Sequence, residues 1–121
     1  MNYDPMSPIW LQVATALKRE IATGSLPPGK KLPGGRDLAL QYEINPNTAA
    51  RIYQELEREG LCQTRRGLGT FITSDAGRIA ALRQEMAEAA VRRFLKEIRT
   101  LGLTREEVIR LVAEEEEKQE C

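Results

Sequence analysis

Histidine is absent from the 121-residue sequence. The commonest general base and metal ligand of proteins is therefore missing, which argues against an enzyme. Cysteine is scarce. Cys62 and Cys121 stand far apart and fit no metal or redox spacing, so no disulfide scaffold is expected and a reducing cytoplasm suits the chain. Aromatic residues make up only 5% of the sequence, so aliphatic side chains must build the core. No apolar run approaches the roughly 18 residues of a membrane span. The opening MNYDPMSPIWLQV has neither a basic leader nor a small-residue cleavage site, so neither a membrane partner nor a signal peptide is expected. There is no nucleophile–base constellation and no phosphate loop, and hence no cofactor is expected.

What is present is ordinary for a soluble domain, with 41% hydrophobic and 30% charged residues. The length suits one domain and an appendage. Net charge is zero, but residues 1–74 carry nine Lys/Arg against seven Asp/Glu, and residues 75–121 carry nine against eleven. The first part is thus the one suited to an anionic partner, and any basic surface must be local.

Apolar positions Ile9, Trp10, Val13, Ala16, Leu17 and Ile21 predict a helix over 7–23, with Ser7 as N-cap, Pro8 as first helical residue and Gly24 as stop. The stretch SLPPGKKLPGG predicts an extended or turning connection. A short helix over 35–42 follows, with Leu38, Ala39 and Tyr42 on one face. A third runs over 46–59, with Ala49, Ile52, Tyr53 and Leu56 inward, Asn45 as N-cap and Pro46 at the first helical position. Two short helices joined by a tight link form a helix-turn-helix pattern. Behind them, 61–64 and 70–73 read as strands around Arg65-Arg66-Gly67-Leu68-Gly69, a hairpin. Residues 75–101 predict a long helix and Gly102 its break. Thr104-Arg105-Glu106-Glu107 has the spacing of a capping box opening a last helix, whose EEEEKQEC tail is expected to fray.

These pieces resemble the winged helix-turn-helix domain of the GntR family of bacterial transcription regulators. The resemblance covers about residues 5–73. It rests on P-I-W-x-Q at 8–12, I-x-x-G at 21–24, P-G-x-x-L-P at 28–33, R-D-L-A at 36–39, N-x-N-T at 45–48, L-E-R-E-G at 56–60 and R-x-G-x-G-T-F-I at 65–72. The short remainder is similar to that of the YtrA-like subgroup. The implied fold is mainly α with a small β-hairpin wing. It comprises a winged helix-turn-helix DNA-binding domain over 1–74 and a two-helix dimerisation region over 75–121. The implied function is a sequence-specific, dimeric repressor on a near-palindromic operator. Two departures stand out. Gly34, with Gly35 next to it, replaces the usual Ser or Ala and loosens the start of the second helix, and Pro46 replaces a base-reading arginine of many relatives.

The third helix leaves Asn47, Ala50, Arg51, Gln54 and Arg58 outside its core face, with Thr48 on the boundary. A major groove admits one helix and its first turns reach the base edges. Asn47 matches adenine, Ala50 allows close approach, Arg51 is long enough for phosphate or base, and Thr48 reads equally as a DNA contact or a structural residue. The resemblance implies that Arg36 reaches DNA and that Arg65, Arg66 and Gly67 form a wing contact, where a narrow groove attracts arginine. Lys30 and Lys31 read equally as phosphate contacts or solvated charges. Trp10 reads as core or interdomain wedge, Cys62 as a small buried hydrophobe, and Glu114–Glu117 as a solvated helix end rather than a metal site.

Ile79, Leu82, Met86, Ala90, Phe94 and Ile98 make a stripe along the long helix that the last helix is too short to cover. A second copy would cover it, giving a homodimer with two reading helices for two half-sites. An unidentified small-molecule effector would bind between the C-terminal helices or at the dimer interface. The competing reading is a winged-helix module for protein–protein interaction, without an operator, for which the near-neutral charge speaks.

Overall fold

The computed structural model describes residues 1–120; Cys121 lies outside the described residues. Five helices and one hairpin follow in order: α1 (Ile9–Thr23), α2 (Gly35–Tyr42), α3 (Pro46–Arg58), β1 (Cys62–Arg65), β2 (Gly69–Ile72), α4 (Ala76–Arg99) and α5 (Arg105–Gln119). The chain divides into two compact units, the first ending at Glu85 and the second starting at Met86. None of the described helices is long and apolar enough to cross a membrane.

The core of the first unit is aliphatic, as the shortage of aromatics requires. Val13, Leu17 and Ile21 of α1, Leu38 of α2, Ala49, Ile52 and Leu56 of α3, and Leu61, Cys62 and Ile72 of the wing are all buried. Burying each Leu or Ile side chain is worth about 1.5–3 kcal/mol. Leu82 of α4 joins this set, so the first turns of α4 belong to the first unit. Arg78 fastens them there. Its Nε donates to the Glu59 carbonyl at 2.8 Å, satisfying a carbonyl just past the end of α3. Lys18 of α1 pairs with Glu59 at 2.7 Å at the same corner.

Local chemistry sets the element ends. Gly24 closes α1 in the left-handed region at φ 86°. Ser7 is not the cap of α1. The helix begins at Ile9 after Pro8, without a side-chain cap. Residues 4–7 instead form a turn clamped by Gln12, whose Nε2 donates to the carbonyls of Asp4 (2.7 Å) and Ser7 (2.9 Å) while its Oε1 accepts from Asp4 N–H. Ile9 is correspondingly exposed and Ala14 takes a core place. Gly34 opens α2 without a side-chain cap.

The strands pair antiparallel with Cys62 opposite Ile72 and Arg65 opposite Gly69, one residue nearer the tip than expected at each end. The PGKKL segment is extended as expected, but it also pairs with β2. Leu32 N–H donates to Thr70 O and Ile72 N–H to Lys30 O, each at 2.8 Å. The wing thus has a third backbone rung, which blunts what would be an open sheet edge.

In the second unit, the capping box at Thr104 and Glu107 forms in both directions. Helix α5 runs to Gln119, into the segment where fraying is expected, and Lys118–Glu115 and Arg110–Glu114 pairs lie along its acidic turns. No residue of α5 is buried.

Candidate nucleic-acid interface

Helix α3 is built to present one face. Asn45 caps it, its Oδ1 accepting from Asn47 N–H at 2.7 Å, and Pro46 stands at the first helical position, where no N–H is needed. Ala49, Ile52, Tyr53 and Leu56 anchor the opposite face, and Asn47, Ala50, Arg51 and Gln54 are exposed; Thr48 is half-buried. Tyr53 ties the helix to the loop ahead of α2, its hydroxyl donating to Pro33 O at 2.6 Å. Burial pushes the Tyr53 phenol well above its ordinary value, so it stays protonated and able to donate.

The arginines near this face differ in what holds them. Arg58 is spent on Glu55, with contacts of 3.2 and 2.8 Å. Arg51 is different. Its guanidinium carbon lies 4.3 Å from the centroid of the Trp10 ring. Arg36, in the first turn of α2, is exposed and has no partner among the described residues. Arg65 lies 4.8 Å over the Phe71 ring, and Arg66 and Gly67 are exposed at the hairpin tip. The tip turns through Gly67 (φ 78°), closed by Leu68 N–H on Arg65 O at 2.9 Å. Glu57 of α3 accepts from both the backbone N–H and the hydroxyl of Thr64, coupling the wing to the reading helix.

The structure therefore brings an α2 arginine, an exposed α3 face and a wing bearing two arginines into one compact unit. A model of the bacterial regulatory proteins of the gntR family matches residues 10–72. The chain belongs to the GntR family. It is 39% identical over 108 residues to the HTH-type transcriptional regulator YhcF of Bacillus subtilis, covering 89% of each chain. It is 36% identical over 99 residues to the HTH-type transcriptional repressor YtrA of the same organism, covering 75% of this chain and 76% of YtrA. A solved GntR family transcriptional regulator from Listeria monocytogenes matches with a TM-score of 0.86 at 36% identity, over 93% of this chain and 98% of that one. This GntR protein is a DNA-binding transcriptional regulator with a winged helix-turn-helix, not an enzyme.

Three features of this GntR domain have no local sequence signal. Trp10 is not fully buried core; it is half-buried and underlies Arg51. Phe71 underlies Arg65. Lys31 reaches the wing, where a Cβ added at Gly69 would stand 2.7 Å from its Cε. Among the expected dimer residues, Leu82 is a correction. It is 2% exposed within the first unit and has no surface to offer a second copy. Ile79, Met86 and Ile98 are half-buried, while Ala90 and Phe94 are exposed.

Proposed function

We propose that this regulator is a cytoplasmic homodimeric repressor that reads a near-palindromic operator, α3 entering the major groove and the 65–69 wing the adjacent minor groove. The observation that carries this reading is the exposed Asn47–Ala50–Arg51 face at the capped start of α3. It is the part of a reading helix that reaches base edges. Asn47 offers an amide donor and acceptor for adenine, and Ala50 lets the helix approach closely. The helix N-terminus and Arg36 supply attraction for phosphate. Arg65, Arg66 and Gly67 form a tip suited to a narrow groove.

The second unit supports the dimer. Val91, Phe94, Ile109, Leu111 and Val112 are exposed there. Phe94, Ile98, Leu111 and Val112 line a groove of about 410 Å³ rimmed by Glu115, Glu116 and Gln119. Apolar surface of this kind is a recognition surface in a stable protein. In a dimer, two modest half-site affinities combine into tight binding. A small-molecule effector would act by competing for this same groove.

Fluorescence anisotropy with duplexes from the region upstream of its own gene tests the reading. Arg36→Ala weakens binding, and binding falls steeply with salt. Unchanged affinity in both Arg36→Ala and the Arg65→Ala/Arg66→Ala double variant overturns the site assignment. No duplex preference at low salt, together with capture of one specific protein, favours the protein–protein module instead.

A further inference from the structure

We infer that Trp10 is a positioning residue for DNA recognition, its ring holding Arg51 on the reading face of α3 with the guanidinium donors left open for the operator. The inference rests on the proposed placement of α3 in the major groove.

Arginine is an expensive reader. Its side chain carries about 2 kcal/mol of rotamer entropy, and a free one must be ordered on each binding event. Proteins often order it with a carboxylate, but that occupies the N–H groups that would read a base and cancels the charge that attracts phosphate. On α3 the carboxylate one turn after Arg51 is Glu55, and Arg58 already engages it at 3.2 and 2.8 Å. Arg51 itself makes no hydrogen bond or ion pair among the described residues. Its guanidinium carbon instead lies 4.3 Å from the Trp10 ring centroid. A contact to a ring face uses no hydrogen-bond acceptor and leaves the positive charge in place, and tryptophan is the strongest aromatic partner for a cation.

The platform is itself fixed. Trp10 is half-buried at the start of α1, between the exposed Ile9 and the Gln12 clamp on Asp4 and Ser7. Val13 and Leu17, one and two turns on, are buried in the core. Asn47 stands one turn before Arg51 on the same exposed face, so the two are presented together. Arg58 shows the contrast: ordered by Glu55, it is unsuited to reading.

The test is a double-mutant cycle in the full chain. The probe is a labelled duplex enriched from a randomised pool by the wild-type protein. Trp10→Ala weakens binding about tenfold and lowers discrimination between the enriched duplex and a scrambled one. Trp10→Phe retains most of both. Trp10→Leu, which keeps an apolar body without a π face, behaves like Trp10→Ala. In the Arg51→Ala background the Trp10→Ala effect disappears, since the two act as one unit. Additive effects, or a Trp10→Leu variant as competent as Trp10→Phe, overturn the inference. Thermal melting of each variant identifies loss of fold, and Trp10→Phe against Trp10→Leu decides the matter if Trp10→Ala unfolds. If Arg36→Ala weakens binding and Arg51→Ala does not, this inference fails while the operator reading stands. If no variant weakens binding, the operator reading fails first.

Discussion

Lys31 lies across the wing at Gly69, so close that a Cβ on that glycine would stand 2.7 Å from the lysine Cε. Gly69 also adopts φ 121°, a backbone region that side chains rarely enter. Gly69 stands opposite Arg65, and the Lys30–Leu32 segment pairs with the strand residues that follow it. Gly69→Ala is therefore expected to cost about 1–3 kcal/mol, measured by urea unfolding. The lysine tip can swing aside, so the cost lies in the backbone and adding Lys31→Ala should recover little of it. Full recovery would show that backbone strain at Gly69 is unimportant.

The cap of α3 and its reading face separate cleanly between two neighbouring asparagines. Asn45 contributes its side chain to the helix, whereas Asn47 contributes only its backbone N–H. Asn45→Ala should lose about 1 kcal/mol of stability, with Asn45→Asp retaining most of it. Asn47→Ala should leave the unfolding free energy within about 0.5 kcal/mol of wild type. It should nevertheless relax base preference in a selected-binding-site experiment. Equal selectivity in that variant would remove Asn47 from the reading set.

Alkaline pH should loosen the first unit through Cys62. Burial, and secondarily the charge of Glu57, push its thiol up from 9.0 to about 11. A raised folded value means that the unfolded chain gives up this proton first. The contribution of Cys62 is complete below pH about 9 and is lost as pH rises through about 11. Tyr53, raised from 10.0, adds a second loss beginning higher. Urea midpoints of wild type should fall across this window, and Cys62→Ala should flatten the lower part of the fall. In a Cys121→Ser background, Cys62 should resist alkylation near neutral pH until the protein is unfolded. Rapid alkylation of the native protein would contradict its burial.

How much of this was legible depended on the distance over which each signal acts. The caps of α3 and α5, the stop at Gly24 and the hairpin glycines act within four residues, and their chemistry is visible in the sequence. So is the aliphatic stripe of α3. Ser7 misleads because Gln12, five residues beyond it, recruits the preceding residues into a clamp. The third rung of the wing, Trp10 under Arg51 and the burial of Leu82 each join segments distant in the chain. No periodicity encodes such pairings. The EEEEKQ turns look like a frayed end by charge alone, but spacings of three and four place Lys118 and Arg110 where they offset the repulsion.

The exposed groove of the second unit carries the last prediction. Phe94 is 40% exposed and lines that groove with Ile98, Leu111 and Val112, so a charge placed there should leave the single chain folded. In a dimer it would be buried without a partner, at a cost of several kcal/mol. Sedimentation of wild type should give twice the 13.6 kDa of one chain, and Phe94→Glu should return it to one. The melting temperature of wild type should rise with protein concentration, and that of Phe94→Glu should not. On a duplex carrying two half-sites the variant should bind far more weakly than wild type, because the second contact is no longer intramolecular. On a duplex with one half-site the two proteins should bind alike. A wild-type protein that sediments as one chain at every concentration would remove the dimer. A dimeric Phe94→Glu would place the interface away from this groove.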